Sequence, residues 1–465
     1  MENGIYFGAS VPNIERERHF VQITVRTLSE QEIRMLFGKE TFSKKNKGKY
    51  IIGYDISNEY AQISYLKIGE KEPQTLSMVA GMEQYNIPLL IYKKETENLW
   101  YIGKEAATYD QEENGFLVEN LLEAVWQQDL VDVGLETYNS CALLALFVKR
   151  SLSYLSMIIS LDKVDSMMIT VEDLNERKVA ALRKMTTYLQ MPHIQIHFMK
   201  KEESFYSYNL HTDPALWTHS VMLYEMQKNR LKSYRLHLNK KTTPIVTLVE
   251  KKEYPLFSGK MPETENQMME WDELFQKYIK EDRKPQTFST VYLIGEGFAG
   301  EWYQKSVRFL CEGHRVFRGN NLYSKGACYT LLDRLMPGEL AKSYVYLGED
   351  KLMANVGMKL LRQGKESYLA IMDGGHSWYE CRKEWDVILE DNNVLTFRII
   401  PLNGKNVVES RMYLHGLHKT RNPITRVHIE VYMETAKKMK VKVWDKGFGE
   451  FYPSSNLYWE ELMEL

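Results

Sequence analysis

Along most of the chain, apolar and polar positions recur with a mixture of two periods, and near residue 340 one of them drops out. YIIGYDISNEYAQISYL (50–66) reads as two strands around a polar turn at 57–59. Residues 88–109 give two more strands and, after Gly103, the start of a helix. Apolar residues three and four apart make 116–160 mainly helical. Residues 166–191 are a strand running into a helix, with Glu172 and Asp173 near its start, where acids suit the helix dipole. HIQIHFM (193–199) is the next strand, and 219–226 with 231–238 form a strand pair. TFSTVYLIGEGFAG (287–300) is an apolar strand ending in a Gly-rich turn, followed by helices over 301–313 and 320–336.

The two flanks read differently. Residues 1–48 are polar and mixed, with a strand over 19–28 and a short helix over 29–38, and are expected to be an extension packed on the main body. From 345 to 452 only short alternating strands remain. Turn residues at 373–375, 390–393, 403–405 and 421–423 break them, the pattern of an all-β unit. The tail over 454–465 is expected to form at most a short amphipathic helix. Three parts follow: an extension at 1–48, a mixed unit at 49–340 and a β unit at 345–465.

Composition narrows the function classes. The chain has 465 residues, 44% hydrophobic and 26% charged, with a formal net charge of −2. That balance offers no overall attraction to nucleic acid or to an anionic membrane. The basic clusters at 44–49 and 228–241 read as solvated faces. Cys141, Cys311, Cys328 and Cys381 form no CxxC or zinc spacing, so reduced thiols in a cytoplasmic protein are expected. The apolar run at 141–148 is too short to span a bilayer. Asp373 and His376 read as part of a turn, and His193 and His197 as ordinary strand histidines.

The order of elements resembles the Hsp70 branch of the actin/Hsp70/sugar-kinase superfamily over about residues 50–460. The family's first phosphate loop, roughly G-I-D-L-G-T-T, is matched by Gly53, Tyr54, Asp55, Ile56, Ser57, Asn58 and Glu59. Asp55 keeps the acid that in the family organises the metal and its waters. Ser57 replaces a glycine, and Glu59 puts a negative charge where phosphates would lie. The V-G-x-x-A-K lysine is Ala107 here, with Lys104 three residues away. In KKEESFYSY (200–208), Lys200 falls on the family's catalytic-region glutamate, with Glu202 and Glu203 beside it. The second phosphate loop, D-L-G-G-G-T-F-D, becomes Glu225 followed by Gln227, Lys228 and Asn229 at the three glycines, which blocks an anion nest. The adenosine motif is better kept, through Gly295, Glu296 and Gly297, and through Lys325, Gly326 and Ala327. Residues 413–450 resemble the family's peptide-binding β-sandwich.

The resemblance implies an α/β actin-like/Hsp70-like ATPase fold, of duplicated RNase H-like domains, followed by a β-sandwich without a helical lid. The subdomain that closes over the nucleotide is reduced, with 70 positions from Glu225 to Gly295. Since lysine, glutamate and triple glycine are lost together, the expected function is a pseudo-ATPase. It would be a chaperone-related binding or scaffold module holding a protein or extended peptide through the β unit, with no nucleic-acid or membrane partner. No catalytic residue is assigned. Should ATP or ADP bind with Mg²⁺, the candidates are Asp55, Ser57, Asn58, Lys104, Gly295, Glu296, Gly297 and Lys325, with Asp55 holding the metal through water. The alternative is a divergent ATP-dependent chaperone with residual binding and hydrolysis.

Overall fold

The computed structural model describes residues 49–465 except 96–98, 111–114, 229, 256, 258–260, 285–286, 363, 391–392, 403–405, 418–423 and 451. The expected extension at 1–48, with its strand and helix, lies outside the described residues. So do most of the turn residues expected at 390–393, 403–405 and 421–423, and most of the basic cluster at 44–49. The protein is a mixed α/β chain with several sheets.

Sheet one is built from β1 (Tyr50–Ile56), β2 (Tyr60–Lys67), β3 (Gln74–Thr75), β4 (Ile87–Pro88), β10 (Val164–Val171) and β11 (Gln195–Lys200). Its order is β11-β10-β1-β2-β3, with β4 also on β2. β1 runs parallel to β10 and antiparallel to β2. Between these lie a small sheet of β5 (Ile91–Lys94), β6 (Trp100–Ile102) and β7 (Gly115–Val118), and a hairpin of β8 (Leu130–Val133) and β9 (Glu136–Asn139). The hairpin interrupts the stretch expected to be helical. Val131, Val133, Thr137 and Tyr138 favour strands, and Gly134 turns the chain at φ 67°.

Sheet two repeats the plan. β12 (Ser220–Gln227), β13 (Arg230–Asn239), β14 (Ile245–Glu253), β15 (Phe288–Ile294), β16 (Arg315–Arg318) and β17 (Tyr344–Tyr346) lie in the order β16-β15-β12-β13-β14-β17. The first five have the same arrangement as β11-β10-β1-β2-β3, two parallel strands beside an antiparallel meander. The central strands are buried on both faces, which explains their near-continuous apolar runs.

One helix of each half covers the other half's sheet. The Lys201–Leu210 helix, which leaves sheet one, puts Phe205 and Leu210 against Val221, Leu223 and Tyr234 of sheet two. The Leu322–Leu335 helix, which leaves sheet two, packs Ala327, Cys328 and Leu331 on Ile51, Leu66 and Met168 of sheet one. Two glycines permit this exchange. A Cβ on Gly53 would lie 1.9 Å from the Ser324 carbonyl oxygen, and one on Gly326 would lie 2.1 Å from that of Ser204. The outer face of sheet two is covered by the Glu265–Asp282 helix through Trp271, Phe275 and Ile279. That helix has a full capping box between Thr264 and Gln267.

β17 pairs in parallel with β14 and leads into eight further strands. They are β18 (Ala354–Arg362), β19 (Lys365–Met372), β20 (Arg382–Glu390), β21 (Val394–Pro401), β22 (Val408–Tyr413), β23 (Ile424–Thr435), β24 (Lys438–Asp445) and β25 (Tyr458–Glu464). They form two antiparallel four-stranded sheets, β19-β18-β21-β22 and β20-β23-β24-β25. The tail expected as a short helix is therefore an edge strand. Its acids face the basic strand β24, with Glu460 opposite Lys442 and its carboxylate 2.5 Å from Lys440 Nζ.

A turn at Trp378–Glu380 docks this region on sheet one. The Tyr379 hydroxyl donates to the Phe198 carbonyl at 3.2 Å, and Arg183 donates to the Tyr379 carbonyl. Glu380 Oε1 meets His197 Nδ1 at 3.0 Å and Arg334 Nη1 at 2.8 Å. Burial opposes ionisation of Glu380, but His197 and Arg334 outweigh it and hold its pKa down at about 2. The interior of sheet one continues into the β region as one apolar core.

The helix exchange makes a direct prediction. Gly326→Ala should lower stability by about 2 kcal/mol or more, since backbone at Ser204 must move. Denaturant midpoints of both proteins check this, and an unchanged midpoint would show that the helices do not meet so closely.

Candidate functional site

The two sheets present similar hairpins to one cleft. In the first, Ser57 N donates to the Tyr60 carbonyl at 2.9 Å, Ser57 Oγ donates to it at 3.0 Å, and Tyr60 N donates to Ser57 Oγ at 3.2 Å. The Ser57 hydroxyl and both backbone donors thus close the turn on itself, while Asn58 is exposed. In the second, Gln227 pairs with Arg230 across Lys228, which sits in the left-handed region at φ 52°, and Asn229, outside the described residues. Lys228 Nζ reaches Glu59 Oε1 of the first hairpin at 3.6 Å. This bridge is mostly exposed and contributes little by itself.

Deeper in the cleft lies a buried ionic network. Lys201, the first residue of its helix, donates from Nζ to Glu225 Oε1 at 2.7 Å and lies 3.5 Å from Glu172 Oε2. Glu225 also accepts from Tyr234 and Tyr323 at 3.1 Å each, and from Gln227 at 3.1 Å. Glu172 accepts from Lys232 at 2.7 Å and from Lys251. Strand β1 brings Asp55 near enough for Lys201, Glu225 and Glu172 to act on its charge; it is 2% exposed, and its Oδ1 has no hydrogen-bond partner among the described residues. The network crosses the cleft. Asp55, Glu172 and Lys201 belong to the first half; Glu225, Lys232, Lys251 and Tyr323 belong to the second.

The charges of the network follow from their surroundings. Burial penalises the Lys201 ammonium, but Glu225, Glu172 and Asp55 outweigh it and hold its pKa well above the usual value. Burial likewise opposes ionisation of Glu172, and Lys201, Lys232 and Lys251 reverse this and lower its pKa. Asp55 goes the other way. Burial dominates the attraction of Lys201, repulsion by Glu225 and Glu172 adds to it, and its carboxyl is pushed up to about 7. Breaking a buried pair such as Lys201–Glu225 by removing one partner costs about 3–5 kcal/mol.

The other predicted positions divide around this network. Lys104 is exposed on the Gly103–Asp110 helix and donates to Gln84 at 3.0 Å, whereas the lysine beside Asp55 is Lys201. Gly295, Glu296 and Gly297 form the turn after β15, lying against Met226 of β12. A Cβ on Gly295 would sit 2.3 Å from the Met226 carbonyl oxygen, and one on Gly297 would sit 2.3 Å from Met226 Cγ. The exposed Glu296 accepts from Asn86 of the first half at 3.1 Å. Lys325 is half-buried on the Leu322–Leu335 helix, one position before Gly326. Lys200 ends β11 and faces away from the network, towards Asp173 at 3.7 Å and Glu349 at 3.9 Å. Glu202 and Glu203 are buried, and Glu203 Oε2 lies 2.7 Å from Lys351 of the β region.

The motif comparison passes over Lys201, the buried lysine of the network. A usable signal is present: two adjacent lysines stand where a strand gives way to a helix, and side chains of successive residues there point to different sides. Its neighbours also carry the thread onwards, because the same helical turn that holds Glu225 holds Lys351.

Asp55 gives this site a pH signature. Its folded pKa lies above its unfolded value, so its stabilising contribution is full below about pH 4 and is lost as pH rises through 7. Asp55→Asn should therefore flatten the fall in melting temperature between pH 5 and pH 8 and leave the variant at least as stable as the parent at pH 8. Melting curves across that range check it. A variant that is destabilised most at pH 8 would show that the ionised carboxylate is a net stabiliser.

Comparison with known proteins adds the following. Among the described residues, no helix is long and apolar enough to cross a membrane. The four cysteines are free thiols, with Cys141 and Cys328 buried and Cys311 exposed. No curated protein matches the chain. A domain of unknown function, DUF8552, matches residues 351–465, and the C-terminal part of a family of unknown function, DUF5716, matches residues 72–349. The two matches meet in the connection between β17 and β18. The second covers well over half of the chain, so the protein belongs to the DUF5716 family.

Proposed function

We propose that this chain is an Hsp70-like scaffold of the actin/Hsp70/sugar-kinase superfamily. In it, the duplicated RNase H-like halves hold shape without turning over ATP, and the C-terminal sheets, as a β-sandwich, offer a surface to a protein or extended-peptide partner. The observation that carries the reading is Lys201. It lies buried between the acids at the ends of β1 and β12, Asp55 and Glu225, the ground that phosphates and their metal would need. The repeated strand order of the two sheets supports the superfamily assignment. The self-closed Ser57–Tyr60 turn and the Glu59–Lys228 bridge support the loss of a phosphate cradle.

Support for a binding role comes from the edges of the β region. Among the described residues β22 pairs only with β21 and exposes Val408 and Tyr413, and extended ligands commonly add to such edges. Docking of Tyr379, Glu380 and Lys351 on the first half fixes how that surface is presented.

A ligand that binds only the native state must raise its stability. Titrating the protein with Mg²⁺–ATP and Mg²⁺–ADP to millimolar concentration should leave its melting temperature unchanged. A saturable rise would overturn the pseudo-ATPase reading in favour of a divergent ATP-dependent chaperone.

A further inference from the structure

Among the described residues, three groups lie against the Lys201 ammonium, and none belongs to its own helix. Glu225 Oε1 lies 2.7 Å from Nζ and Glu172 Oε2 lies 3.5 Å from it. The Tyr323 ring faces it, with its centroid 4.8 Å from Nζ. Asp55 lies further off, near enough for its charge to favour the ammonium, with a buried oxygen that has no hydrogen-bond partner among the described residues. Carboxylates beside an aromatic face recognise an organic ammonium, which offers three donors to the oxygens and a cationic edge to the ring. A metal ion fits less well. Among the described residues no three acidic, histidine or cysteine side chains are gathered to ligate one.

We infer that Glu172, Glu225 and Tyr323, with Asp55 nearby, form a binding site for a primary ammonium group, occupied from within by Lys201, and that removing the Lys201 stem opens it to a primary alkylammonium from solution. The walls come from the residue after β10, β12 and the Leu322–Leu335 helix, so they stay when the lysine is cut back. Lys201→Ala keeps Cβ, and n-propylammonium supplies the three carbons and nitrogen that are lost. The inference rests on this geometry alone and stands whether or not the chain is Hsp70-like.

The test uses the whole chain. Lys201→Ala should melt below the parent, and n-propylammonium chloride should raise its melting temperature saturably in the millimolar range. The parent should not respond, and 1-propanol, sodium chloride or magnesium chloride at matched concentration should not replace the amine. An equal response in parent and variant, or none in the variant, would overturn the inference. Should Lys201→Ala fail to fold, Lys201→Met and Lys201→Met/Glu225→Gln settle the matter. The double variant should be more stable than the single, because the stranded carboxylate is gone, whereas additive losses would overturn the inference. Failure here leaves the nucleotide titration of the parent untouched, and failure there leaves this one untouched.

Discussion

An ammonium group taken out of water needs carboxylates around it, and in this protein those carboxylates come from both sides of a cleft. Lys201 belongs to the first half and Glu225 to the second, and the contact between them is fully buried. Separating the halves would leave both charges unpaired in a dry interior, which is far costlier than losing a surface pair such as Glu59–Lys228. The exchange of helices acts in the same direction. Each half's sheet is covered by a helix of the other half, through close contacts that Gly53 and Gly326 allow. A cleft that opens and closes needs separable faces, and here the faces are each other's core.

The start of the Lys201–Leu210 helix joins this cleft to the β region. Lys201 meets Glu225, and Glu203, two residues on, meets Lys351. Lys351 in turn donates to Ser377, next to the turn that carries Tyr379 and Glu380 onto sheet one. The position of the β sheets is therefore set by buried polar contacts as well as by the shared apolar core. These contacts fix the β region against sheet one, and with it the place of edge strand β22.

Much of this was legible in the sequence, and the illegible parts have physical causes. The two polar turns, the apolar strands leading to them and the Gly-rich turn after β15 are local patterns, and strand alternation carries them. Lys201 was not found because an overlay aligns positions, whereas its side chain is turned inwards by the start of the helix after β11, against Glu225, which is distant in sequence. The Tyr458–Glu464 tail has apolar residues spaced for a helix, and its strand state comes from pairing with the lysines of β24. Residues 373–380 read as a turn with a flanking strand, and the docking role of Trp378–Glu380 was not legible because its partners Phe198, His197 and Arg334 are distant in sequence. The glycines of the adenosine-type motif were visible, but what they pack against, Met226, was not.

The claim on which the account turns is that the cleft is closed permanently by the protein's own charges. Hydrogen exchange of the strand-paired amides of β1 with β2, of those of β12 with β13, and of residues 205–210 of the Lys201–Leu210 helix tests it most directly, with and without Mg²⁺–ADP. Amides that open only with the whole molecule exchange at the rate set by global stability, whereas a moving cleft exchanges through cheaper local openings. The account predicts protection at the global level in all three segments, unchanged by nucleotide. Fast exchange confined to these segments, slowed by Mg²⁺–ADP, would contradict it.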